Sequence, residues 1–99
     1  MNESYLQQIQ SISDALNRLR TTIINEKPCK LHASLKFDDL AKSVVLSANI
    51  EGMVFFASVL MYLASTRQPN QHEHFSEGVV LDESDLQLII KYVRAEWDD

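Results

Sequence analysis

Between Met53 and Ala64 the sequence MVFFASVLMYLA is apolar at every position but Ser58, and this run limits what the chain can become. At helical pitch, Met53, Phe56, Ala57, Leu60, Leu63 and Ala64 share one face, while Phe55, Val59 and Tyr62 line much of the other. A helix that is apolar nearly all round has to be covered on both sides. Spanning a bilayer takes roughly 20 apolar residues, and a run of about 10–14 points instead to a buried core helix. Residues 51–66 are therefore predicted as a central helix inside a domain, with no membrane partner. The rest of the chain must supply its covers.

Residues 4–25 read as an amphipathic helix whose apolar seam runs through Tyr5, Ile9, Ile12, Leu16, Leu19 and Ile23, four and three apart in turn. Ser4 with Gln7 fits a capping box, and Asn25-Glu26-Lys27-Pro28 is a stop, because the residue before proline disfavours helix. The seam either covers the Phe55/Val59/Tyr62 side of the central helix or pairs with a second copy. Ile9, Ile12, Leu16 and Leu19 are the candidate homodimer contacts.

From Lys30 to Phe37 the period changes to two, with Leu31, Ala33, Leu35 and Phe37 alternating against polar neighbours. A second alternating run, 42–50, follows across the Asp38-Asp39 turn, so the pair reads as a hairpin. Beyond the central helix come a proline and amide loop, an expected strand at 72–76, a charged loop at Asp82-Glu83-Ser84-Asp85, and a last strand at 86–94. The order is α-β-β-α-β-β. As a two-layer α+β domain spanning 1–99, this puts a four-stranded antiparallel sheet under the central helix, with the N-terminal helix as an addition.

Nine basic residues against fourteen acidic ones give a formal charge of -5. Nucleic acid is excluded as the expected ligand, since phosphate binding relies on Lys and Arg. A protein partner with a basic surface fits better, because opposite fields speed encounter and select partners. The candidate contacts are Asp82, Glu83 and Asp85 in the charged loop, His72, His74 and Glu77 around the third strand, and Trp97 with Asp98 near the end. A tryptophan set among acids has the composition of an interface hot spot. The single cysteine, Cys29, allows no internal disulfide, and the chain opens without a basic and apolar leader, so a cytoplasmic setting is expected.

Catalytic signatures are missing: there is no G-x-S-x-G, no P-loop and no H-E-x-x-H, and nothing sets a nucleophile beside a base. No enzyme and no cofactor are expected. His72 and His74, two apart on a strand, would point the same way, and with a third ligand from His32 or a carboxylate such as Glu77 they form the one candidate metal group. Two imidazoles alone make a poor site.

The stretch 46–93 carries a set of marks: an N-x-E-G turn (Asn49, Glu51, Gly52) opening an apolar helix that ends L-x-x-L-A at Leu60 to Ala64, then H-x-H with an aromatic (His72 to Phe75), then Ser84 ahead of Leu88-Ile89-Ile90. In these marks the chain resembles bacterial immunity proteins of polymorphic toxin systems, specifically the immunity protein 32 family. That resemblance implies a non-catalytic inhibitor that binds a toxin made by the same cell. The chain departs from it in the N-terminal helix, in the spacing after Ser84, and in having Ser76 and then Glu77 where an acid follows the histidines. The expectation is a bacterial immunity protein. Its rival is a small homodimeric structural or regulatory protein assembled through its N-terminal helix.

Overall fold

The computed structural model describes residues 2–75 and 81–94. Two helices and five short strands run in the order α1 (Glu3–Asn25), β1 (Ala33–Asp38), β2 (Ser43–Ala48), α2 (Ile50–Thr66), β3 (His72–Phe75), β4 (Glu83–Ser84) and β5 (Leu88–Lys91). The class is α+β.

The hairpin forms where the alternation and the turn chemistry agree. Leu35 pairs with Leu46 and Ala33 with Ala48, which puts the apolar positions of both strands on one face. Between the strands the Asp38 carboxylate accepts the Ala41 N–H at 3.1 Å, and Lys42 turns the chain at φ 54. Strand β1 begins at Ala33 and not at Lys30, because the residues before it are claimed by Asn49. That side chain donates to the Lys30 carbonyl at 2.6 Å and accepts from the N–H groups of His32 (3.1 Å) and Gly52 (2.9 Å). As the N-cap of α2 it satisfies a free helix donor and ties the helix start to the strand start.

Helix α2 buries Phe55, Phe56, Val59 and Leu63 against Ala33, Leu35, Phe75 and Leu81. Phe55, Phe56 and Phe75 meet edge to face, with centroids 5.2–6.0 Å apart. Two expectations about faces fail here. Met53 and Leu60, assigned to the sheet side, are exposed, whereas Val59, assigned to the N-terminal helix, lies in the core with Ala33 and Leu35; Phe55 joins that core and also lies under Arg20 of α1. The reason is that α1 takes the side of α2 that carries its small hydroxyls. Ser13 and Ser58 are both buried, and Ser13 meets Ser65 at 3.5 Å.

Helix α1 runs antiparallel to α2, since its Ser13 lies beside Ser65 while Arg20 stands over the Phe55 ring at 5.9 Å. Its cap is Asn2, whose side chain accepts the Ser4 N–H at 2.8 Å, two positions before the expected capping box. The expected seam divides in two: Ile23 is buried and Ile9 and Leu16 half-buried, while Tyr5, Ile12 and Leu19 remain exposed.

The single four-stranded antiparallel sheet is also corrected. The strands form a three-stranded sheet, β2-β1-β4, and a separate ribbon, β3-β5. Strand β4 pairs parallel with β1, and β3 pairs antiparallel with β5, matching Phe75 to Leu88 and Glu73 to Ile90. The stretch read as a charged loop thus closes an edge of β1. Just before it, Leu81 is 1% exposed, the most deeply buried large side chain, and periodicity assigned it to nothing. Among the described residues no helix is long and apolar enough to cross a membrane.

Candidate functional site

The densest group of charged side chains lies along the β4 edge of the three-stranded sheet. It forms because a two-residue strand cannot satisfy the whole outer edge of β1. Asp82 donates its N–H to the Ala33 carbonyl at 2.8 Å, and its carboxylate accepts the Ala33 N–H at 3.1 Å. At the other end Asp85 repeats the device, its N–H bonding the Leu35 carbonyl at 3.0 Å and its carboxylate taking the Phe37 N–H at 3.0 Å. Two carboxylates thus close the ladder where backbone runs out. An edge ended by acids also resists pairing with another strand.

Side chains from β1 meet these acids. His32 Nδ1 lies 3.2 Å from Asp82 Oδ2, and Lys36 Nζ lies 3.0 Å from Glu83 and 4.0 Å from Asp85. All are about half exposed or more, so each ion pair contributes on the order of 0–1 kcal/mol. Two carboxylates face the Lys36 ammonium and a third faces His32, which leaves the edge negative when the imidazole is neutral. Beside it opens a groove of about 650 Å³ lined by His32, Ser34, Ser47, Asn49, Asp82 and Glu83. An aspartate, a histidine and two serines share this groove, yet among the described residues no hydroxyl hydrogen-bonds to His32. Acyl transfer needs a nucleophile on the imidazole, and the described side chains do not place one there.

Asp82 and Asp85, read from the sequence as free partner contacts, thereby have a second role in holding β4 to β1. Replacing Asp85 by alanine should lower stability by about 1 kcal/mol, through loss of a charge-assisted bond to an exposed edge. The specific readout is the Phe37 amide, which should exchange its hydrogen faster while buried amides of β1 slow or speed only with global stability. An unchanged Phe37 amide would refute this role.

The other expected residues fall elsewhere. His72 and His74 lie on the outer face of the ribbon, their rings 4.7 Å apart, and His72 Nδ1 sits 2.8 Å from the Asn70 carbonyl. His32 belongs to the other sheet. Among the described residues no three His, Cys, Asp or Glu side chains gather to hold a metal ion. Glu77, Trp97 and Asp98 lie outside the described residues. Lys36 and Asn49 belong to the candidate site, and sequence reasoning did not place them there. The alternation in β1 marks Lys36 as outward-facing, but nothing local pairs it with an acid 47 positions on. Comparison of the chain with protein-family models, curated proteins and solved structures returns no match.

Proposed function

We propose that this chain is a non-catalytic inhibitor that binds another protein, an immunity protein neutralising a bacterial toxin domain made by the same cell. The observation that carries the reading is the acidic sheet edge, where Asp82, Glu83 and Asp85 outnumber the single Lys36 beside an open groove. A basic active-site cleft is complementary to such an edge, and electrostatic steering would speed capture of the toxin. The marks shared with the immunity protein 32 family support the same reading, and Asn49 and Gly52 of the N-x-E-G turn are the residues that lock helix to strand. On this reading the protein acts in the cytoplasm, where an active toxin would do damage.

The adjacent gene should encode a toxin domain, and co-expression with that domain tests the reading. The wild-type chain should restore growth, and the purified pair should bind more weakly as salt rises. Glu83→Lys, which reverses an exposed charge without removing a backbone bond, should weaken binding at least about tenfold, or 1.4 kcal/mol. A chain that neither binds nor protects would sink the proposal.

A further inference from the structure

Among the described residues, the side of the helical layer away from the serine contact is apolar and bordered by Arg67 and the end of β5. On α2, Ile50, Met53, Ala57, Leu60 and Ala64 succeed one another at intervals of three and four, the spacing of the a and d positions of a coiled coil. On α1, Tyr5, Ile12 and Leu19 stand seven apart, on a row nearly parallel to the helix axis. The two rows lie on the same side of the pair, because Tyr5 and Ile9 meet Leu60 and Ala64 in one open groove of about 350 Å³, whose remaining wall is Arg67 and residues 90–93 at the end of β5. Tyr5, Ile12, Leu19, Ile50, Met53 and Leu60 are each between 46% and 79% exposed.

We propose that this face binds a second copy of the same chain, forming a two-fold dimer with four helices at its centre. Area is the first argument. The six exposed side chains alone present on the order of 650 Å² per copy, above what monomers commonly expose and near the roughly 800 Å² per partner of a standard interface. Charge is the second. Glu51 is the only charged residue between Ile50 and Thr66, and the two charged residues at the groove, Arg67 and Lys91, lie beyond the end of the α2 row, so along the row itself two copies of a chain carrying -5 meet few like charges. A basic partner would be drawn to the β4 edge, while the charged residues bordering this face, Arg67 and Lys91, are themselves basic and would not attract it. Geometry is the third: heptad rows on two antiparallel helices match themselves under a two-fold axis, with Ala57 and Ala64 allowing close approach. No residue of the acidic edge belongs to this face, so each copy keeps its edge free.

Sedimentation of the full chain between about 1 and 200 µM tests the dimer, whose affinity would fall in that range for an interface without charged anchors. The wild-type chain should sediment at twice its 11.3 kDa mass at the upper end. Leu60→Glu and Ile12→Glu should each weaken association at least about tenfold, while circular dichroism stays native because both side chains are exposed in the monomer. Val45→Glu, on the hairpin, should leave association unchanged. A wild-type chain that stays monomeric throughout, or a dimer indifferent to both helix variants, overturns the proposal; in the first case the face is left for a different protein.

Discussion

Phe56→Ala should lower stability by about 3–5 kcal/mol, a large share of the roughly 5–15 kcal/mol that holds a domain of this size together. Phe56 is buried on α2 and meets both Phe55 and Phe75 edge to face, so truncation empties the point where α2, β3 and the three-stranded sheet converge. Two losses combine: the transfer of an aromatic ring out of water, and a cavity that its rigid aromatic neighbours cannot fill. Chemical denaturation with the midpoint and slope both recorded would measure the effect. Phe56→Leu should recover more than half of it. Leu40→Ala, at a position 98% exposed on the hairpin turn, should change stability by less than about 0.5 kcal/mol. A loss below about 1 kcal/mol at Phe56 would mean that the aromatic trio is not the core.

The second large effect should come from adding one methyl group, Gly52→Ala. In most helices this exchange stabilises by about 0.5–1 kcal/mol. Here a Cβ at position 52 would lie 2.6 Å from the His32 carbonyl oxygen, 2.9 Å from the Ala48 Cβ and 3.3 Å from Asn49 Oδ1. The nearest atom is backbone and cannot swing away, so α2 must lift from the start of β1. That movement would also break the Asn49 bonds to His32 and Gly52. Overpacking of about 1–3 kcal/mol, with a lost cap of about 1 kcal/mol, outweighs the gain in helix propensity. The net expectation is a loss of about 2–3 kcal/mol and a Tm lower by roughly 10–20 °C, read by calorimetry. An unchanged or raised Tm would mean that helix and strand are free to separate at this point.

These two residues mark where reading the sequence succeeds and where it stops. Phe56 was legible as buried, because a run apolar on every side has nowhere else to go. Its partner was not, since the same run assigns Met53 and Leu60 to the face that Phe56 occupies, and both are exposed. Gly52 was legible as part of a turn-like mark before a helix. That it sits under the His32 carbonyl depends on a contact between residues twenty apart. The candidate site follows the same division. The acids at 82, 83 and 85 were visible as charge, but Asp82 and Asp85 act on Ala33 and Phe37, 49 and 48 residues away.

By itself the sequence determined the elements of period and composition: both helices, the hairpin at Asp38-Asp39, the ribbon residues around His74 and Ile90, and the excess of negative charge. These are local properties, decided within a turn of helix or a pair of neighbours along a strand, so they are written in the spacing of residues. Only the tertiary structure decided how the strands are shared between two sheets, which side of α2 meets α1, and which apolar residues stay exposed. Those outcomes rest on a competition between distant surfaces. Two serines that let helices approach, and two carboxylates that end a strand edge, outweighed patterns that pointed to one sheet and one continuous seam.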